Sequence, residues 1–145
     1  MEEGDNVDIM YLDFSKAFDK VDHGILLRNL RNVGISGKTG KWILNFLANR
    51  NQQVIVNQDI SKKSKVTSGV PQGSVLGPLL FLSMINDIID GIQSNVSLFA
   101  DDTRIGKSIS SEEFGEKLQE DLNKLYSWQE RNNMIFNGSK FELIR

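Results

Sequence analysis

Residues 96–106 read VSLFADDTRIG, in which two apolar-rich segments flank the acidic pair Asp101-Asp102. Short apolar segments on either side of a two-residue connection are typical of a β-hairpin. We therefore expect residues 96–100 and 103–106 to form antiparallel strands with both aspartates at the tip. A hairpin of this kind would hold two carboxylates together at one end of a sheet.

A third carboxylate follows another expected strand. Residues 7–12 are short and apolar, and they lead into a polar turn that begins at Asp13. Asp13 is remote in sequence from Asp101 and Asp102, so only folding can bring the three side chains together. Carboxylates at strand ends suit Mg²⁺, which prefers oxygen ligands, and two such ions ~3.5–4 Å apart support phosphoryl transfer. An Asp-Asp pair alone is weak support, because aspartate is also favoured in ordinary turns.

The rest of the chain predicts an α+β fold. Asp22 is placed to cap a helix that ends at Gly34, and His23 is expected to belong to that capping arrangement. A helix over residues 37–49 would turn Trp42 inward. Further expected elements are a strand pair at 52–57 and 63–68, a buried helix at 79–89, a helix with a Ser110/Glu113 capping box and a core Trp128, and a last strand pair at 134–136 and 140–144. This order indicates an antiparallel sheet with helices packed on one face.

Composition narrows the class of protein. The length of 145 residues suits one domain. The net charge is only −2, but the charges are unevenly distributed, since eight basic residues and one acid fall within residues 23–69. The chain has no cysteine, which excludes disulfides, zinc–thiolate sites and thiol catalysis. No apolar run is long enough for a membrane span, and the acidic, polar start shows no signal peptide. We expect an intracellular protein without a membrane partner, and nuclear and cytoplasmic locations both stay open.

Four motifs carry a resemblance to a known family. Residues 11–23, YLDFSKAFDKVDH, are similar to the first polymerase motif of non-LTR reverse transcriptases, and residues 69–81, GVPQGSVLGPLLF, match their second motif almost word for word. Residues 98–103, LFADDT, resemble the third motif, and residues 128–140 fall where the fourth is expected. The chain thus resembles, in the family's order and spacing, the palm of a LINE-type, jockey-like reverse transcriptase.

The resemblance implies roles in catalysis. Asp13 and Asp101 would hold two Mg²⁺ or Mn²⁺ ions, and Asp102 would support the site more loosely. Phe14 would offer its backbone carbonyl to the metal of the nucleotide. Lys140 would act as a general acid or charge partner for the leaving pyrophosphate.

The resemblance also implies a site for the incoming nucleotide. Phe18 matches the steric gate, whose ring excludes the 2′-hydroxyl of a ribonucleotide, although a phenylalanine here is also able to serve core packing. Pro71, Gln72 and Gly73 would contact the dNTP, with a hydrogen bond from Gln72. Gly73 would let its loop approach the template closely.

The implied activity is that of an RNA-directed DNA polymerase, which adds dNTPs to a DNA primer on an RNA template during retrotransposition. Residues 1–145 would form the palm alone, without the fingers, thumb and endonuclease that act with it. One alternative is a truncated or inactive retroelement fragment with at most weak nucleic-acid binding. Another is a different palm enzyme, such as a group II intron maturase or an RNA-dependent RNA polymerase. Phe18 argues against an enzyme that makes RNA. The sequence Phe-Ala-Asp-Asp at residues 99–102 argues against a viral RNA polymerase.

Overall fold

The computed structural model describes residues 6–99, 102–109 and 113–144. These residues divide into two compact units. The first draws on Met1–Ala17 and Ile85–Arg145, and the second is Phe18–Met84. Within the described ranges, no helix combines the length and apolar character needed to cross a membrane.

A four-stranded antiparallel sheet organises the first unit. Its strands are β1 (Asn6–Asp13), β6 (Asn95–Phe99), β7 (Asp102–Ile109) and β8 (Glu142–Ile144), in the order β6-β7-β1-β8. The labels β2 to β5 belong to the second unit. The expected hairpin is confirmed, because β6 and β7 pair in a register that sets Phe99 opposite Asp102. The placement of Asp102 at the hairpin tip was wrong, because Asp102 is the first residue of β7 and pairs within the ladder, and Asp101 lies outside the described residues. The expected strand at residues 7–12 is confirmed as β1.

One face of this sheet is covered by a long helix, α5 (Glu113–Asn132). Leu12, Thr103 and Ile105 point to the covered face and are buried, as are Leu125 and Trp128 of the helix. Trp128 is therefore a core residue, as the helical periodicity predicts. An α+β unit with a helix on one face of an antiparallel sheet agrees with the expected fold class.

The end of the chain departs from the predicted strand pair. Phe136 forms one isolated bridge with Phe14 instead of pairing with residues 140–144. A 3₁₀ turn (Gly138–Lys140) follows, and β8 then pairs with β1. The prediction was wrong because both segments hydrogen-bond to the open edge of β1 rather than to each other. The proposed Ser110 capping box lies outside the described residues.

Helices dominate the second unit: α2 (His23–Asn32), α3 (Gly37–Leu47), and most of α1 (Ala17–Lys20) and α4 (Leu76–Ile85). Asp22 caps α2 as expected, because its Oδ1 accepts from the amides of Gly24 at 2.8 Å and Ile25 at 2.9 Å. His23 takes no part in that cap. Its side chain instead reaches the carbonyl of Gly69, as described below.

The prediction that Trp42 turns inward was wrong. Ile43 and Leu47 form the buried stripe of α3, whereas Trp42 is 56% exposed and stacks on Phe46 at a centroid distance of 5.7 Å. Trp42 and Phe46 form the stripe beside Ile43 and Leu47, so a one-residue rotation of the periodic pattern decides which stripe is buried.

The strand predicted at residues 52–57 is interrupted. β2 (Asn51–Gln52) pairs with β5 (Ser64–Lys65), and β3 (Ile55–Val56) pairs separately with β4 (Asp59–Ile60). Asn57 and Gln58 join β3 to β4 with φ of 48° and 76°. Positive φ at both central residues is the geometry of a type I′ hairpin turn. The turn therefore folds the segment back on itself before one long ladder can form.

The prediction of a wholly buried helix at residues 79–89 was also wrong. The helix α4 spans Leu76–Ile85, so Pro78 is its third residue. Leu80 and Phe81 are buried, but Leu79 is 59% and Leu82 49% exposed. Apolar character all round a helix thus does not ensure burial all round.

Candidate functional site

Two of the three predicted acids face each other in the first unit. The register of β1 and β7 makes Asp13 and Asp102 directly opposed partners. Opposed residues in an antiparallel pair have Cβ atoms ~4.5–5.5 Å apart, so their carboxylates are near neighbours. Both belong to the face opposite the buried Leu12 and Thr103, because side chains alternate along a strand. Asp101, the third acid, lies outside the described residues.

A cleft of about 460 Å³ opens at this acid pair. Its walls come from the ends of β1 and β7 and from the segment that leads into β8. The lining residues are Tyr11, Leu12, Asp13, Asp102, Ser139, Lys140, Phe141 and Glu142. The cleft therefore brings Lys140, which lies far from Asp13 in sequence, to the acids.

The Lys140 ammonium lies 2.8 Å from Oδ2 of Asp13. Backbone bonds hold the lysine there: Asn137 donates its amide to the carbonyl of Asp13 at 2.7 Å, and its own carbonyl accepts from the amide of Lys140 at 2.9 Å. Asn137 Oδ1 also accepts from the hydroxyl of Ser139 at 2.7 Å. A short 3₁₀ turn anchored on β1 thus aims the lysine at Asp13.

The acid pair has the chemistry of a cation site. Like charges directly opposed across a sheet are destabilising, and a cation between them relieves the repulsion. The ammonium on Asp13 shows that this carboxylate accepts a cation. Asp13 and Asp102 offer hard oxygen donors, which fit Mg²⁺ or Mn²⁺. Across the described ranges, no group of three or more acidic, histidine or cysteine side chains is arranged to hold a metal.

Phe14, the residue after Asp13, is buried in an aromatic cluster. Its ring stacks on Phe136 at 4.5 Å and meets Trp128 at 6.0 Å. The bridge between Phe14 and Phe136 is made by its neighbours, since Ser15 donates to Ile135 and Asn137 donates to Asp13. These bonds do not use the Phe14 carbonyl, which therefore points away from Phe136. The packing of the Phe14 ring holds the backbone at this position.

In the second unit, the loop at residues 69–75 is anchored at its first residue. The Gly69 carbonyl lies 2.9 Å from Nε2 of His23 and 2.6 Å from Nη2 of Arg50, and the Gly69 amide donates to Val21 at 2.8 Å. A carbonyl can only accept, so this histidine nitrogen carries the proton. Gly69 has φ of +85°, and an added Cβ would lie 2.8 Å from Cα of Asp19. The glycine is therefore required both by its conformation and by close packing.

The expected nucleotide residues of this unit have partners of their own. Gln72 is exposed, and its Nε2 donates to Oδ1 of Asp19 at 3.0 Å. Phe18 is half-buried and stacks on Phe81 at a centroid distance of 4.6 Å. Phe18 thus has a packing contact, and the structure assigns it no further role.

The start of α4 shapes the remainder of the loop. Pro71 offers its carbonyl to the Ser74 hydroxyl at 2.6 Å, and Ser74 Oγ accepts from the amide of Gly77 at 3.0 Å. A Cβ on Gly77 would lie 2.6 Å from the Pro71 carbonyl oxygen, so a side chain there would push the loop away from the helix. Gly73 has φ of +78° and open space around it.

Sequence reasoning missed His23, Arg50 and Asp19 as loop-holding residues. Each acts on a partner at least 19 positions away in sequence, and none lies in a pattern that marks such a contact. The single histidine, the last residue of the first motif, was the only visible signal, and its position after Asp22 predicts a role in a helix cap instead.

Comparison with known proteins identifies the family. The model of the family described as reverse transcriptase (RNA-dependent DNA polymerase) matches residues 2–145. This chain belongs to the reverse transcriptase family. The family resemblance expected from the four motifs is thereby confirmed.

Relatives within the reverse transcriptase family are mobile-element proteins. The chain is 32% identical over 141 residues to the RNA-directed DNA polymerase from mobile element jockey of Drosophila melanogaster. It is 31% identical over 140 residues to the probable RNA-directed DNA polymerase from transposon X-element of the same organism. Each match covers 90% of this chain but 15% of the relative. The expected jockey-like, non-LTR affinity is confirmed.

A solved structure supports the fold. Telomerase from Candida tropicalis, solved in complex with a fragment of telomeric RNA, matches 95% of this chain and 26% of its own with a TM-score of 0.71. Sequence identity is 11%, so this likeness concerns the fold alone. It agrees with the polymerase palm expected from the motifs.

Proposed function

We propose that this chain is the palm of an RNA-directed DNA polymerase, which extends a DNA primer on an RNA template during retrotransposition. The observation that carries the proposal is the register of β1 and β7, which opposes Asp13 and Asp102 at the rim of a cleft. Asp101 precedes Asp102 in sequence and completes the acid set that the family resemblance assigns to catalysis. The chain spans about 15% of its relatives' length, so fingers, thumb and endonuclease are proposed as separate parts of a longer protein.

Reverse transcriptases in general depend on divalent metal. In the proposed site, Asp13, Asp101, Asp102 and the Phe14 carbonyl would hold two Mg²⁺ or Mn²⁺ ions. Such ions activate the attacking oxygen and stabilise the leaving oxygen in phosphoryl transfer. The half-buried Asp13 and the aromatic cluster around Phe14 contribute rigidity, which keeps these oxygen donors in position before substrate binds.

The second unit would supply the nucleotide contacts. Gln72 is exposed on a loop held by His23 and Arg50, so its amide is able to form a hydrogen bond with a dNTP when it leaves Asp19. Phe18 is held by its stack on Phe81, which suits a ring that must resist displacement by a 2′-hydroxyl. Pro71 and Gly73 would shape the loop beside the nucleotide.

Lys140 is proposed to act on the leaving group. Its ammonium lies 2.8 Å from Oδ2 of Asp13. With that carboxylate engaged by metal, the lysine would be released toward pyrophosphate, where a positive charge or a proton stabilises the leaving oxygen.

The test replaces the matching region of the Drosophila melanogaster jockey polymerase with this chain and measures primer extension on an RNA template. Asp13→Asn should lower the rate by ~100-fold or more, because a metal site supplies several kcal/mol of transition-state stabilisation. Asp90→Asn removes an exposed acid of the same unit and is the matched control.

Two results would decide against the proposal. If the hybrid with Asp13→Asn extends primers as well as its parent, Asp13 is not a catalytic residue. An inactive parent hybrid that is folded and still binds primer–template would favour the alternative, an inactive retroelement fragment.

A further inference from the structure

The open face of the sheet carries a cation next to the acid pair. Tyr11 on β1 and Arg104 on β7 are cross-strand partners, two residues along from Asp13 and Asp102. The Arg104 guanidinium lies over the Tyr11 ring, 4.9 Å from its centroid. Two residues in a strand advance ~7 Å and return to the same face. Arg104 and the acids therefore lie on one face of the sheet, opposite the face that α5 covers. Arg104 and Asp102 are exposed there, and Asp13 is half-buried.

The surroundings of Arg104 leave its charge available. Arg104 is exposed, and no ion pair joins it to an acid in the ranges that the structure describes. Glu142 is the partner of Tyr11 on the far side of β1, so the tyrosine stands between this acid and the arginine. A ring beneath a guanidinium limits its freedom while leaving its edge N–H donors for another ligand.

We infer that Arg104, held by Tyr11, binds a backbone phosphate of the nucleic-acid strand that lies on this sheet face. The inference rests on the proposed function, which places the reacting strand end at Asp13 and Asp102. A strand ending there would carry its next phosphates across the Tyr11–Arg104 pair. Guanidinium binds phosphate through paired hydrogen bonds, and the flat side of the group suits stacking on tyrosine. The Tyr11–Arg104 pair adds a second cation, besides Lys140, beside the acidic side chains of Asp13 and Asp102.

The experiment measures binding of a fluorescent DNA primer annealed to an RNA template, by anisotropy in EDTA, at several KCl concentrations. The 145-residue chain is compared with Arg104→Gln and Arg104→Lys. One lost phosphate contact lowers the slope of log K against log[KCl] by about one. Between 50 and 200 mM KCl the affinity of the parent should therefore fall ~3–4-fold further than that of Arg104→Gln.

Controls separate this contact from stability and from general charge. Arg131→Gln removes one exposed positive charge from α5 and should leave the slope near that of the parent. Arg104→Lys keeps the charge and should also keep the slope. Melting temperatures are measured for each variant to detect a loss of folding. Such a loss would lower the affinity at every KCl concentration without changing the slope of log K against log[KCl] by one.

A second arm asks whether the phosphate belongs to a strand or to a free nucleotide. It titrates dNTP with Mn²⁺ against the same variants. Weaker dNTP binding by Arg104→Gln with an unchanged strand slope would overturn the inference, as would a parent that does not bind primer–template at low salt. If Arg104→Gln keeps the parent slope while Asp13→Asn abolishes extension in the hybrid, the inference fails and the proposed function stands. If Arg104→Gln lowers the slope by about one while Asp13→Asn leaves primer extension unchanged, the phosphate contact at Arg104 stands and the proposed function is rejected.

Discussion

Nζ of Lys140 lies 2.8 Å from Oδ2 of Asp13, so the acid that opposes Asp102 is already neutralised in part by a cation of the same chain. A divalent ion that binds Asp13 must displace this ammonium or share the carboxylate with it. The lysine is mostly exposed, so breaking this ion pair costs little free energy.

Replacing Lys140 with Gln should therefore raise the affinity of the chain for Mn²⁺, measured by titration with electron paramagnetic resonance. An exposed ion pair contributes ~0.2–1 kcal/mol, so the gain should be up to about fivefold. Lys140→Arg keeps the charge and should resemble the parent, and Arg131→Gln controls for removal of a distant charge. Equal Mn²⁺ affinity in Lys140→Gln and the parent would show that the ion pair and the metal do not compete.

Replacing Phe18 with Val tests the sugar selection proposed for that ring. In the hybrid polymerase, the ratio of kcat/KM for ribonucleotide to that for deoxynucleotide should rise ~10-fold, because relief of a steric clash is worth ~1–3 kcal/mol. The stack on Phe81 means that some stability will also be lost. Phe81→Leu disturbs the same stack from the other side and serves as the control. If both variants lower the two kcat/KM values equally, Phe18 contributes packing only.

Replacing Gly69 with Ala should destabilise the chain by ~2–4 kcal/mol, measured by urea denaturation. The added Cβ would meet backbone atoms of Phe18 and Asp19 at 2.8–2.9 Å, and alanine is strained at φ of +85°. Gly73→Ala shares the positive φ but has open space, so its cost should be ~1–2 kcal/mol. Similar losses in the two variants would mean that close packing at Gly69 adds nothing.

Asp121 of α5 is a buried carboxylate that holds the turn before β6. It accepts from the Ser94 hydroxyl at 2.8 Å, the Ser94 amide at 2.9 Å, the Gln93 amide at 3.1 Å and the Lys124 ammonium at 2.9 Å. Burial raises the pKa of Asp121, but the hydrogen bonds from Lys124, Ser94 and Gln93 outweigh it, and the pKa falls below its ordinary value of 3.8.

A lowered pKa in the folded state means that the contribution of Asp121 is complete above pH 3.8 and is lost as the pH falls through the folded value. Asp121→Asn should cost ~2–3 kcal/mol at pH 7, because several bonds to a charged acceptor are weakened. The difference from the parent should narrow as pH drops below 3.8 in urea denaturation. Glu120→Gln, an exposed neighbour on α5, should change stability by less than ~0.5 kcal/mol. A difference that stays constant down to pH 2 would contradict the assigned role.

Local patterns in the sequence predicted the elements that carry the acids. The hairpin within residues 96–106, the strand before Asp13 and the Asp22 cap each depend on residues within a few positions of one another. Turn chemistry, alternation and capping act over that range, so they are visible without a partner. The motif resemblance added the polymerase palm and the candidate roles, and those roles stay predictions.

Tertiary structure decided the features that depend on distant partners. The opposition of Asp13 and Asp102, the ion pair of Lys140 with Asp13 and the contact of His23 with Gly69 each join positions at least 46 apart. Apolar periodicity identified α3 but did not determine the exposure of Trp42, because two neighbouring stripes were equally apolar. A side chain's burial and charge partner depend on which element packs on it, and that information is spread over the whole chain rather than held in any local segment.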